Sequence, residues 1–148
     1  TVWLLERSMK TLAIRVKAHN KNAKKIAKWL HQHPLVNQVY YPGLTTHPNY
    51  KLAKKQMKGC TGMLSFELNE SVNSDVFLKS LTLIKPSMSL AGVESTILAP
   101  SKTSHALLGE EERKNQGISE GLLRLSVGIE DTKDLLLDLE KAFEMSNI

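Results

Sequence analysis

The run Leu122-Leu123-Arg124-Leu125-Ser126-Val127-Gly128, continued by Ile129-Glu130-Asp131, carries the strongest strand pattern in this 148-residue chain. Apolar residues dominate it and Gly121 and Gly128 bound it, which is how a buried strand reads in sequence. Asp131 then suits the N-cap of a closing helix with an acidic first turn, whose Leu135, Leu136, Leu139 and Phe143 form a buried face. The oddity is Arg124. A guanidinium cannot lose its proton, so burying one without an anion is costly. From the residues alone two readings stay open. Arg124 faces solvent on an edge strand, or its fork holds a carboxylate in a cleft through paired charge-assisted hydrogen bonds.

Working outward, Gly62 to Leu68 alternates as a second strand, with Met63, Ser65 and Glu67 opposing Leu64, Phe66 and Leu68. Val36 to Tyr41 is a β-rich run stopped by Pro42-Gly43, and Leu83-Ile84-Lys85 and Thr96-Ile97-Leu98 read as brief strands. Residues 2–31 read as a long helix with a kink near Ser8, its apolar stripe drawn by Leu5, Leu12, Val16, Ala23, Ile26, Ala27 and Leu30 and its end enforced by Pro34. Shorter helices are expected from Pro48 through Met57 (Leu52, Ala53 and Met57 on one side), from Ser74 to Leu81 behind an Asn73 or Ser74 cap, and from Glu110 to Gln116. The expected architecture is α/β: a long helix over 1–31, then an α+β sandwich over 36–148. Its sheet, of about four strands, is mixed or antiparallel with helices on one face. The chain opens on Thr1 and is apolar at once, which suggests an element cut from something larger.

Composition narrows the function. Hydrophobic residues make up 41%, enough for a core, and no apolar run approaches the roughly 20 residues of a membrane span. No secretory signal precedes the charges, and Cys60 is the only cysteine, so a soluble cytoplasmic protein without disulfides is expected. Charge is polarised, at +11 over residues 1–58 and −6 over residues 59–148. Lys17, Lys21, Lys24, Lys25 and Lys28 fall on the polar side of the first helix, and no aromatics interleave with them, so nucleic acid is not an expected partner. His31 and His33, two apart, do not converge on an ion, and Cys60 has no second thiol, so no metal site is expected. There is neither a phosphate loop nor a nucleophile elbow.

In Ser87-Met88-Ser89-Leu90-Ala91-Gly92-Val93-Glu94-Ser95, hydroxyls and small residues crowd one loop, a composition that lets a ligand approach the backbone. At this loop and at the Arg124 strand the sequence resembles the pyridoxal-phosphate enzymes of cysteine and methionine metabolism. That family includes cystathionine β-lyase, cystathionine γ-lyase, cystathionine γ-synthase and methionine γ-lyase. Trp3 to Leu12 is similar to W-L-L-x-R-G-x-K-T-L, Val39 to Leu44 to V-x-Y-P-G-L, and Gly62 to Leu68 to G-x-M-L-S-F-E-L. Ser89 to Ser95 is similar to S-L-G-G-V-E-S, and Gly117 to Asp131 to G-I-S-x-G-L-V-R-L-S-V-G-I-E-D.

The resemblance implies the small C-terminal domain of an aminotransferase-type fold. The large domain, which carries the Schiff-base lysine and most contacts to pyridoxal 5′-phosphate, is missing, so the piece should be inactive alone. Arg124 matches the arginine that grips the substrate's α-carboxylate, and Ser89 the serine beside it. His105 matches the histidine of M-T-H-A, although Thr103-Ser104 replaces Met-Thr, and Ala91 replaces a usual glycine. Met88 stands where members acting on γ-carbons often have glutamate, which shifts the expectation toward β-elimination. The implied activity is cleavage of cystathionine to homocysteine, pyruvate and ammonia within methionine biosynthesis and transsulfuration. The implied partners are a cystathionine-like amino acid, the protein's own N-terminal domain and a homotetramer. Alternatives are a γ-lyase or γ-synthase domain, or, in another class, a stand-alone binding module without catalysis.

Overall fold

Alternation puts Leu64, Phe66 and Leu68 on one side of a strand and Met63, Ser65 and Glu67 on the other. The computed structural model, which describes residues 2–147, buries the first set and leaves the second half-covered. In chain order the elements are α1 (Val2–Met9), α2 (Leu12–Gln32), β1 (Val36–Tyr40), α3 (Tyr50–Gln56), β2 (Met63–Leu68), α4 (Ser74–Ser80), β3 (Lys85–Pro86), β4 (Thr96–Leu98), a 3₁₀ turn (Pro100–Lys102), α5 (Glu110–Asn115), β5 (Leu122–Ser126) and α6 (Thr132–Ser146). The sheet is mixed, in the order β1-β2-β5-β4-β3, antiparallel throughout except for the β3–β4 pair. It has five strands rather than about four.

Register fixes two faces. Val39, Phe66 and Leu123 share one rung, and Leu64, Leu125 and Ile97 another, all of them buried. Against this face pack Ile26 and Leu30 of α2, Phe77 of α4, and Leu135, Leu139 and Phe143 of α6. Full burial of each such side chain contributes about 1.5–3 kcal/mol. The opposite face holds the rungs Tyr40–Ser65–Arg124–Leu98 and Met63–Ser126–Thr96.

Two helix starts follow local chemistry. The Asn73 side chain accepts from the amides of Asp75 (3.0 Å) and Val76 (3.1 Å), and Asp131 accepts from Lys133 N (2.7 Å). The kink expected near Ser8 is a full break at Lys10–Thr11, which divides the long helix into two. The Ser8 carbonyl at the break accepts instead from Arg15 Nη2 (2.9 Å). Its apolar stripe is also cut short. Burial begins only at His19, and Leu5, Leu12 and Val16 are exposed because the helix has not yet reached the sheet. In α3, Ala53 is buried while Leu52 and, just past the helix end, Met57 are exposed. The third strand starts at Lys85, not Leu83, because the Leu83 and Ile84 amides donate to Asp138 of α6 and not to a neighbouring strand. No helix among the described residues is long and apolar enough to cross a membrane.

Candidate functional site

β5 lies between β2 and β4, so Arg124 sits at the middle of the sheet and not on an edge strand. Its side chain rises from the helix-free face, flanked by Ser65 and Leu98 on its own rung, and is half-buried. Among the described residues it forms no ion pair, and its one hydrogen bond runs from Nη2 to the Met88 carbonyl at 3.3 Å. A guanidinium carries five N–H donors in a planar fork, so most of its capacity is unused. The other arginines differ. Arg7 lies over the Trp3 ring, Arg15 serves the Ser8 carbonyl, and Arg113 holds Glu120 and the Leu108 carbonyl.

The Met88 contact brings the expected residues together. Ser87 N donates to the Ile97 carbonyl (3.0 Å), and Ser89 N donates to Ser87 Oγ (3.2 Å). Thr96 Oγ1 donates to the Ser89 carbonyl (2.7 Å), and Ala91 N donates to Ser126 Oγ (2.9 Å). The loop therefore crosses the open face from Arg124 to Ser126. Its Met88 side chain is 67% exposed, and the exposed Ser89 hydroxyl makes no hydrogen bond among the described residues. Ala91 holds a φ of +61°.

Sequence reasoning missed what pins this loop. At its start, Asp138 accepts from Thr82 N (2.9 Å), Thr82 Oγ1 (2.7 Å), Leu83 N (3.0 Å) and Ile84 N (2.8 Å). Burial pushes the Asp138 carboxyl up, but these donors outweigh it and hold the group below the usual carboxylate value. At its end, Glu130 accepts from Ser95 N (2.6 Å) and Ser95 Oγ (2.9 Å), while Ser95 Oγ takes the Gly128 amide (2.8 Å). Behind this turn, the Asn22 side-chain amide donates to the Glu130 carbonyl (2.8 Å), and His19 Nδ1 donates to the Val127 carbonyl (2.7 Å). The only sequence signal for these anchors is an acid or amide where an apolar residue would serve the core equally well.

His105 is half-buried and pairs through Nδ1 with Ser104 Oγ (2.8 Å); it makes no hydrogen bond to Arg124 or Ser89. No group of three or more His, Cys, Asp or Glu side chains able to hold a metal occurs among the described residues. All sixteen lysines are exposed. The arrangement thus offers one planar, half-buried cation on the helix-free face, bonded to the backbone carbonyl of the loop that bears Met88 and Ser89. That is suited to orienting a carboxylate and holds no nucleophile of its own.

A family model described as Cys/Met metabolism PLP-dependent enzyme matches residues 1–144. The chain is 46% identical over 142 residues to a cystathionine beta-lyase of Lactococcus lactis subsp. cremoris (strain MG1363), covering 96% of this chain and 37% of that protein. It is equally, 46%, identical to a cystathionine gamma-lyase of Bacillus subtilis (strain 168), covering 96% and 38%. The solved structure of cystathionine gamma-lyase from Lactobacillus plantarum complexed with L-serine superposes with a TM-score of 0.92 at 44% identity, over 97% of this chain and 38% of that one. The chain thus spans less than two fifths of the length of these relatives. With the family model running nearly end to end and the same backbone in a relative at this identity, the chain belongs to the pyridoxal-phosphate-dependent enzymes of cysteine and methionine metabolism.

Proposed function

We propose that this chain is the substrate-carboxylate-binding portion of a carbon–sulfur lyase that cleaves cystathionine to homocysteine, pyruvate and ammonia. One observation carries the proposal: a half-buried guanidinium in mid-sheet, free of any ion pair among the described residues and bonded only to the carbonyl of the loop that bears Ser89. An amino acid's α-carboxylate fits this fork, and orienting it there, beside the Ser89 hydroxyl, fixes the bonds at its α-carbon for reaction. An apolar Met88 offers a thioether side chain surface without offering a distal ammonium a counter-charge, which favours β-elimination.

Pyridoxal phosphate is the family's cofactor and supplies the electron sink for bond cleavage. The residues of this chain do not fit its covalent attachment, because each lysine is exposed and none is held in a dry pocket. In this reading a further portion of a longer polypeptide carries the cofactor and packs against α1, whose Trp3, Leu4 and Leu5 are exposed. The chain alone then yields no pyruvate from cystathionine even with added cofactor. The same reading takes residues 1–31 as the connecting helix, a homotetramer as the assembled state, and the reducing cytoplasm as the setting in which a lone cysteine stays free.

The test is Arg124→Ala in the cofactor-loaded, full-length enzyme. The expected loss in kcat/KM exceeds about tenfold, or ~1.4 kcal/mol, and a smaller loss rejects the carboxylate clamp. The Bacillus subtilis relative, as similar as the β-lyase, supports γ-elimination as the second reading. Product analysis separates the two: pyruvate indicates β-elimination, and 2-oxobutyrate indicates γ-elimination.

A further inference from the structure

The loop from Ser87 to Ala91 is exposed at every residue, so it buries little that would hold it in place. Beyond the backbone contact of Ser87 with Ile97, three side chains of the open sheet face hold it instead. Arg124 donates to the Met88 carbonyl (3.3 Å), Thr96 Oγ1 donates to the Ser89 carbonyl (2.7 Å), and Ser126 Oγ accepts from Ala91 N (2.9 Å). Thr96 and Ser126 are directly opposed across β4 and β5, and Arg124 lies on the same face of β5, opposite Leu98. The path of the loop is thereby tied to the register of two paired strands, which fix it more firmly than loop residues could.

Thr96 stands apart from the other two. It is 4% exposed, and the one hydrogen bond of its hydroxyl among the described residues goes to the Ser89 carbonyl. Valine has the same outline and suits a strand at least as well, so neither burial nor β-branching calls for an oxygen here. A buried hydroxyl needs a partner, and the partner it has belongs to the residue whose own hydroxyl is left free. The Arg124 contact is the longest of the three, and a carboxylate on the fork would compete with the Met88 carbonyl for the same donors. The Thr96 contact uses no donor of the fork, so it stays in place while Arg124 turns to a ligand.

We propose that Thr96 is a positioning residue: by holding the Ser89 carbonyl it sets the Ser89 hydroxyl against a carboxylate gripped by Arg124, so that the bound amino acid keeps one orientation. This rests on the carboxylate-binding reading given above and extends it from the guanidinium to the second group of the site. A carboxylate held by Arg124 alone can still rock about the fork, and a second donor at a fixed place removes that freedom. What Thr96 contributes is therefore orientation at the α-carbon, which is read in kcat more than in KM.

The test compares Thr96→Val and Thr96→Ser in the cofactor-loaded, full-length enzyme with cystathionine as substrate. Thr96→Val keeps the shape and is expected to lower kcat at least about fivefold while KM moves less than about twofold. Thr96→Ser keeps the donor and should stay within about twofold of the parent in both. A double-mutant cycle separates positioning from a general loosening of the fold. Once Ser89→Ala has removed the hydroxyl, adding Thr96→Val should lower kcat by less than about a further twofold. Away from turnover, amide hydrogen exchange across residues 88–92 should quicken at least about threefold in Thr96→Val and not in Thr96→Ser. Thr96→Ala carries the same expectations should the valine variant not fold. An unchanged kcat in Thr96→Val, equal losses in the valine and serine variants, an additive cycle, or unchanged exchange each overturns the proposal. Arg124→Ala measured alongside tells the two readings apart. A loss below about tenfold there rejects the clamp and this extension with it, whereas a larger loss beside an unaffected Thr96→Val rejects the extension alone.

Discussion

Ala91 is the one non-glycine residue among those described with a left-handed backbone, at φ +61°. An L-residue there costs roughly 1–2 kcal/mol because its Cβ crowds the following carbonyl, whereas glycine adopts the conformation freely but loses about 0.5–1 kcal/mol more chain entropy on folding. The difference favours glycine. Ala91→Gly is therefore expected to raise the unfolding free energy by about 0.5–1 kcal/mol in urea titration, and a loss of stability would show that the loop does not depend on this dihedral. The strain lies two residues from Ser89, on the segment proposed to border the substrate, where natural proteins tolerate such costs. Arg124 makes the complementary point. Its identity and its strand are legible from sequence, but its one hydrogen-bond partner among the described residues, the Met88 carbonyl, lies 36 residues away and follows no local rule.

At the scale of elements, two joints depend on ionisation. Asp138 of α6 holds the turn into β3 through four donors, and Asp138→Ala would leave the buried Ile84 amide and three partly buried donors without this acceptor, a destabilisation of about 3 kcal/mol measurable by denaturant unfolding. Restoring stability with glutamate would point to a joint that tolerates displacement. The second joint is His33, stacked on Phe143 of α6 with ring centroids 4.1 Å apart. Its Nδ1 accepts the Leu35 amide at 3.3 Å, so a proton there would set donor against donor. Burial lowers its pKa below the ordinary 6.5, with Glu140, 3.8 Å away, pulling partly the other way. The unfolded chain therefore takes up the proton first as pH falls. The His33 contribution is full above about pH 6.5 and is lost as pH drops through the lower folded-state value. Melting temperature should fall across that window, and His33→Phe should flatten the slope.

Over the whole molecule, what sequence makes legible is what neighbours in sequence determine. The alternation in β2, the Asn73 and Asp131 caps and the stop at Pro34 all concern residues within a turn or two of one another. The exposure of Leu5, Leu12 and Val16 is different in kind, because periodicity shows which side of a helix is apolar but not whether anything lies opposite it. The start of β3 is decided by a carboxylate 54 residues downstream, and the five-strand order by pairings that cross most of the chain. Helices cover the sheet on one side only; on the other, the Arg124 rung is crossed by the loop before β4.

That order has a consequence for synthesis. The strand at the heart of the sheet, 122–126, is the last of the five to leave the ribosome, and both of its neighbours need it as their shared partner. Until it emerges, the nascent polypeptide holds two unjoined ribbons, 36–68 and 85–98, each with an unpaired edge. Late-arriving central pairing of this kind makes closure slow and leaves a window for mispairing or chaperone capture, which shuts only when the final fifth of the chain is made.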